Sequence, residues 1–373
     1  MLSAFITVCA GFIGDPFWVL FIGTFILALS NGVVEAVINP ITSTLYSKQK
    51  THYLNVLHAG WPGGLVLAGL LMITLGDTGW RWKVLLVLLP TAIYGIMLLR
   101  EKFPVQERVA AGVPYTDMLK EFRRPLVIIL MLIMFPLAIT ELGTDSWITA
   151  LMENVLQDIH PGWILVYTSL IMFVLRFFAG PIVHYINPIG LLACSAAIAC
   201  VGLIWLSVAN VAVLSIFLAA TLYGIGKSFA WATMIGVVAE QSPKGGALTL
   251  NTLTAVGMFA VGVLGTPVLG SIQDHTIDQE LLQRDAELYA IVTSEPVLGI
   301  LGSYRPLDRE RVEILPEEQK KVVREVQGRS SQTALARVAI MPALMTLSFI
   351  ALLIYFRLKG GYKPVELETK FDE

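Results

Sequence analysis

The sequence predicts an all-α, polytopic membrane protein built as two helical bundles, and three observations predict it. Hydrophobic residues make up 55% of the 373 positions and charged residues 14%, with a mean hydropathy of +0.71, whereas about a quarter of residues are charged in soluble domains. The apolar residues gather into stretches of the length that crosses a bilayer, about 20 residues each as helix. A block of sequence near residue 52 recurs near residue 248 in the same position relative to those stretches.

Nine candidate spans follow in order: 17–46, 54–76, 80–100, 125–152, 161–183, 188–208, 210–240, 247–272 and 338–358. A tenth, 2–14, is short, and with neither a basic leader nor a small-residue cleavage site it reads as the end of a helix and not as a signal peptide. The repeat aligns "HYLNVLHAGW" with "LTLNTLTAVG" at an offset of 196, pairing Leu54 with Leu250, Asn55 with Asn251, Leu57 with Leu253 and Ala59 with Ala255. The same offset pairs span 17–46 with span 210–240. This predicts two six-helix halves with the visible spans as equivalents of helices three to twelve. Residues 1–100 are then an incomplete N-terminal bundle, 101–124 a cytoplasmic linker, and 125–373 a C-terminal six-helix bundle.

Charge sets the expected orientation. The linker carries Arg100, Lys102, Arg108, Lys120, Arg123 and Arg124 at or within its ends, and the connection after the 17–46 span carries Lys48 and Lys50, so these sides are expected in the cytoplasm. The connections "GDPFW" and "ENVLQDIHPGW" hold no Lys or Arg, and "WRWK" at 80–83 is the exception. The tail, with Arg357, Lys359, Lys363 and Lys370, returns inside, placing both termini in the cytoplasm of a cell (inner) membrane protein. About 274–336 interrupts the repeat as a charged, extracytoplasmic insertion with helix-like runs at 276–293 and 316–327.

Several function classes are excluded or disfavoured. A formal net charge of -2 and a sequence pI near 6.2 give no basic surplus for nucleic acid. Cys9, Cys194 and Cys200 lack metal-ligand or CxxC spacing and read as packing residues. No Walker loop, HExxH, nucleophile elbow or metal-spaced cluster occurs, so no enzyme, metal or cofactor is expected.

Polar residues inside the spans point to the function. Asn31, Glu35 and Asn39 lie at i, i+4 and i+8 within "SNGVVEAVINPITSTLY", one stripe on one helical face. An ionisable residue in a bilayer faces a cavity or a partner, and a buried carboxyl becomes easier to protonate. Glu35 is therefore the candidate proton-coupling site, against the plainer reading of a hydrogen-bonding stripe between helices. Asn55, His58 and Trp61 precede Pro62-Gly63-Gly64, which predicts a local break with free backbone groups lining a cavity. Glu141 and Asp145 share a face ahead of Trp147, and Tyr223, Lys227 and Trp231 form a stripe of rings around a cation. Arg176 in "RFFAGP" reads as a snorkelling residue or a gate-closing ion pair. Asn31, Asn39, Asn55, His58, Glu141, Tyr223, Lys227, Trp231 and Asn251 are the candidate solute-binding residues.

The two-bundle plan with a basic central loop resembles the major facilitator superfamily over essentially the whole chain. Within it, "EAVINP" (Glu35, Asn39, Pro40), "LNVLHAGWPGG" (Leu54, Asn55, His58), "ELGTDSW" (Glu141, Trp147) and "RFFAGP" (Arg176, Gly180) resemble the fucose–galactose–glucose:proton symporter branch. The resemblance implies secondary transport of a small polar solute, a sugar, with protons, by a monomer in a lipid bilayer. The first helix, which supplies a second protonatable acid in that branch, has no counterpart here. Efflux of an amphiphile or drug, transport of an organic anion held by Lys227, and a transport-dead sensor or assembly partner stand as alternatives. Lys227 itself has three expected roles: neutralising Glu35, holding an anion, or pairing sideways.

Overall fold

The computed structural model describes residues 1–153, 160, 162–209 and 213–367, with the side chains at 146, 147, 150, 151 and 153 outside the described set. Trp147 and most of the connection "ENVLQDIHPGW" therefore lie beyond it. Among the described residues the fold is all-α apart from one short hairpin. Eight helical stretches are long and apolar enough to cross a membrane: Pro16–Leu45, Lys50–Leu75, Trp80–Leu98, Pro125–Gly143, Ala179–Val208, which is kinked by non-helical backbone at Asn187 (φ 54, ψ 166), Val213–Gln241, Pro243–Arg284 and Glu317–Leu358. Gly162–Arg176 is apolar but shorter, and Leu2–Val8 shorter still. Shifting Pro16–Leu45 by 196 residues gives 212–241, almost the bounds of Val213–Gln241.

Local chemistry explains the helix ends. Asp15 accepts from the Phe17 N–H at 2.8 Å and Pro16 takes the first helical position, where no N–H is needed. Gly76, at φ 48, ends the helix that begins at Gly60, a conformation glycine adopts without penalty. The helix ends alternate between two sides of the molecule. One, the linker side, carries residues 46–49, 101–124 and 242–246. The other, the insertion side, carries residues 285–316.

The two halves bury different residues. In the second half Leu130, Ile133, Met134 and Leu137 pack with Trp231, Met234, Val238 and Phe349 in one core, and Ile216, Ala220 and Tyr223 pack with Leu203, Leu206 and Leu335 in another. Gly226 lies so close to Ala199 that an added Cβ would stand 2.2 Å from the Ala199 nitrogen, so glycine is what lets those two helices meet. In the first half the Pro16–Leu45 helix buries only Gly23, Asn39, Pro40 and Ser43. Cys194, expected to pack, is exposed.

The insertion folds on its own small core of Ile277, Leu281, Leu288, Val292, Leu315, Val323 and Val326. The helical runs read at 276–293 and 316–327 are observed as Thr266–Arg284, Ala286–Val292 and Glu317–Val338. Between them Val297–Gly299 and Gly302–Tyr304 form an antiparallel hairpin, with Val297 opposite Tyr304 and Gly299 opposite Gly302.

Candidate functional site

Two prolines of the first half each free a carbonyl that a side chain of the second half takes up. Pro62 has no N–H, so the His58 carbonyl four residues earlier has no helical partner. Arg176 of the second half donates to it through Nη1. Pro40 likewise frees the Ala36 carbonyl, and Asn251 of the second half donates to it through Nδ2 at 3.3 Å. The break expected at Pro62 is thus milder than read from sequence. Ala59 joins Lys50–His58 to Gly60–Leu75 with helical backbone, φ -63 and ψ -23, and the freed group is a single carbonyl.

Around these crossings lies a cavity of ≈ 30 Å³, the volume of about one water. Asn31, Glu35, His58 and Trp61 line it from the first half; Glu141, Leu142, Arg176, Trp231 and Met258 line it from the second. At a rise of about 1.5 Å per residue, Glu35 stands roughly 15 Å from the Leu45 end of its helix, near the middle of a hydrocarbon core about 30 Å thick. Its Oε2 accepts from Asn39 Nδ2 at 2.8 Å, and Asn39 Oδ1 lies 2.8 Å from His58 Nε2. Asn39 thus links Glu35 to His58 through the two ends of one amide.

Glu141 differs from Glu35 in being fully matched. It sits in a π-helical turn, Ile139–Gly143, a distortion that re-aims side chains and is common at functional sites. Arg176 Nη2 reaches Glu141 Oε1 at 2.7 Å, and the Trp231 N–H donates to Oε2 at 2.8 Å. Arg176 Nε donates to the Ser228 carbonyl at 2.8 Å. Arg176 therefore does not snorkel; it is 1% exposed and ties the helices of Glu141, Ser228 and His58 together.

Towards the linker side a polar ladder closes the route. Asn55 Nδ2 donates to Thr233 Oγ1 at 3.0 Å, and one turn further out Glu240 Oε1 accepts from the Thr51 hydroxyl at 2.5 Å and the Thr51 N–H at 3.2 Å. The carboxylate of one half thereby caps the start of a helix in the other, where free N–H groups favour an anion. Gly236 permits the approach, since a Cβ there would meet Thr51 Oγ1 at 2.5 Å. Tyr362 of the tail donates to Glu240 Oε2 at 2.7 Å, and Lys50 pairs with Glu107 of the linker at 2.6 Å. Beyond this latch opens a cleft of ≈ 750 Å³ lined by Lys48, His52, His184, Asn187, Glu240 and Tyr362, among others.

Of the residues singled out in the sequence, Asn31, Glu35, His58, Glu141 and Trp231 meet at the cavity. Asn39 stands behind Glu35 and His58, Asn55 lies on the ladder, and Asn251 bridges the halves. Tyr223 and Lys227 are not brought to the cavity. Lys227 takes the sideways pair, donating to Asp145 and to Thr168 Oγ1 at 3.3 Å, with Tyr223 beneath it at 5.0 Å. The helix is interrupted at residues 228–229, so the phase that aligned Lys227 with Trp231 is not carried across. Leu142, Met258, Thr233 and Glu240 were missed. Thr51 and Glu240 had one legible signal, polar residues at span ends that the basic connections assign to one side. Among the described residues no group of three or more His, Cys, Asp or Glu is placed to hold a metal.

A family model described as the Major Facilitator Superfamily matches residues 1–267. Among solved structures, a bacterial homolog of the human lysosomal transporter Spinster, inward-facing and unoccupied, is similar at 14% identity and a TM-score of 0.63, covering 97% of this chain and 83% of that one. The E. coli fucose:proton symporter FucP is similar at 14% identity and a TM-score of 0.57, covering 92% of this chain and 82% of that one. An outward-facing FucP structure gives a TM-score of 0.59 at 14% identity, with 92% of this chain and 80% of that one covered. No curated protein matches the chain in sequence.

Proposed function

The chain belongs to the major facilitator superfamily of membrane transporters, and from that premise we propose that it is a secondary transporter that moves a small polar solute, a sugar, together with protons. One observation carries the proposal. Glu35 lines a small cavity between the halves, within a helix long and apolar enough to cross a membrane, and among the described residues no salt bridge reaches it, whereas Glu141 beside it is paired with Arg176. A carboxylate without a cation at that depth is costly and is relieved by taking up a proton. Protonation removes the charge, loosens the bond from Asn39, and makes Glu35 a donor to a solute hydroxyl.

The other lining groups suit a sugar. Trp61 and Trp231 line the cavity, aromatic groups of the kind that pack on the C–H surface of a sugar, and Asn31 offers both a donor and an acceptor. The Asn55 and Asn251 side-chain oxygens are buried without a protein partner, positions where a hydroxyl or water supplies the missing donor. Rocking of the halves about the cavity then requires the Thr51–Glu240 latch to part on the linker side. An organic anion fits less well, because Lys227 is already neutralised by Asp145 and Arg176 by Glu141. Leu142 and Met258 in the lining favour an amphiphile as the second reading.

The deciding experiment reconstitutes the chain in vesicles with an imposed proton gradient and a panel of sugars, organic anions and amphiphiles. Accumulation of a sugar above equilibrium, abolished by a protonophore, is expected. Uptake of an amphiphile instead selects the second reading, and no movement of any solute supports a sensor or assembly role. By the positive-inside rule the basic residues of the linker side favour a cytoplasmic position for that side. Glu310→Cys should then react with an impermeant thiol reagent from outside and Ala110→Cys should not, whereas the reverse pattern inverts the topology.

A further inference from the structure

The hairpin of the insertion has a tip of unusual chemistry. Two-residue turns favour glycine, asparagine and aspartate, yet here Ile300 and Leu301 occupy the turn between Gly299 and Gly302. Leu298 is 87% exposed, and Val297, Ile300 and Leu301 are exposed as well. None of these side chains joins the separate apolar core that the same lobe builds.

The hairpin is also aimed. It runs down the helix Thr266–Arg284 in three steps: the Arg305 N–H donates to Asp278 at 3.0 Å, the Tyr304 ring lies 5.3 Å from the His275 ring, and the Leu301 N–H donates to Ser271 at 3.3 Å. From Asp278 to Ser271 the helix descends roughly 10 Å towards the membrane span. The level it reaches is the edge of that span. Gln273, two residues above Ser271, bonds Ser330 and Ser331, and the next residue, Gln332, bonds the carbonyl of Ala209, where the Ala179–Val208 helix ends. Below Ser271, Pro267 on the same helix and Leu264 in the π-helical turn Ala260–Gly265 that leads into it are exposed, so the tip continues an apolar outer surface. Reading upwards, the order is apolar tip, then Tyr304, then Arg305, the order of side chains across a membrane interface.

We propose that the Val297–Tyr304 hairpin is an interfacial anchor whose tip lies in the bilayer leaflet on the insertion side. The anchor holds the lobe down beside the span that lines the solute cavity at Met258. It depends neither on the solute nor on which side of the membrane is cytoplasmic.

The test uses the full chain, with Cys9, Cys194 and Cys200 replaced by alanine, in phosphatidylcholine vesicles. An environment-sensitive fluorophore is attached at Leu298→Cys or, as a second tip position, Ile300→Cys. Glu318→Cys, exposed at the far end of the lobe, is the reference. Bromine-labelled lipid should quench both tip positions severalfold more than the reference, and aqueous iodide should do the opposite. Equal iodide quenching at tip and reference without lipid quenching overturns the proposal, because the tip then lies in water. Protection from both quenchers also overturns it, because a protein surface then covers the tip.

Discussion

The two halves use the same kind of sequence to opposite ends. In the most apolar window of each helix, 6%, 17% and 0% of residues are buried in Pro16–Leu45, Lys50–Leu75 and Trp80–Leu98, against 56%, 61% and 56% in Pro125–Gly143, Ala179–Val208 and Val213–Gln241 and 33% in each of Pro243–Arg284 and Glu317–Leu358. Besides apolar Ala4, Ala10, Leu54 and Ala59, the first half buries polar side chains, Asn39, Thr51, Asn55 and His58 among them. In a bilayer this is the economical arrangement, since lipid solvates leucine as well as protein does and only polar groups gain from facing inward. In this chain the second half is the more densely packed of the two. The first half is a carrier of polar contacts laid against it, and the proton-coupling candidate sits on the carrier while the matched ion pairs sit in the second half.

The difference can be broken most severely at Arg176. Arg176→Ala leaves Glu141 buried and unpaired and two carbonyls without a donor, so thermal unfolding in detergent should report a loss of about 3–5 kcal/mol. No loss would mean that the second half does not depend on its ion pair. Next in size is a leucine contrast. Leu130→Ala, at a side chain that is 0% exposed, should cost about 2–5 kcal/mol, while Leu29→Ala, at one that is 60% exposed, should stay within about 0.5 kcal/mol. Equal costs would show that the first half is packed after all.

Smaller effects sharpen the boundary between the halves. Glu240→Ala removes a helix cap supplied across that boundary, worth about 0.5–2 kcal/mol, and should raise the reactivity of a Thr233→Cys thiol to linker-side reagents. Unchanged reactivity would remove the latch from the transport cycle. The smallest contrast lies within one helix: Asn39→Ala should cost about 1 kcal/mol through its bonds to Glu35 and His58, and the exposed Asn31→Ala close to nothing, both read from unfolding midpoints. A larger cost at Asn31 would reverse which face of the stripe is inward.

Much of this was legible in the sequence. Apolar length gives the spans, the 196-residue offset anticipates the paired helix bounds, and the polar stripe places Glu35 at the junction of the halves. Pro40 and Pro62 announce freed carbonyls, because a missing N–H is a property of the residue itself. Their partners, Asn251 and Arg176, were not legible, since they depend on how two halves dock. Periodicity failed at Lys227 for a definite reason: i, i+4 reasoning assumes one unbroken helix, and the interruption at 228–229 turns Lys227 to Asp145 while Trp231 reaches the cavity. Which apolar faces meet lipid was equally hidden, because leucine reads the same in a core and in a bilayer.

The most direct test of the account is Glu35→Gln, measured in vesicles loaded with the transported solute. The amide imitates the protonated acid in shape and hydrogen bonding but cannot release a proton, so solute exchange across the membrane should persist while proton-driven accumulation is lost. Accumulation equal to that of the unaltered chain would contradict the account, because it would place the coupling proton on some other group.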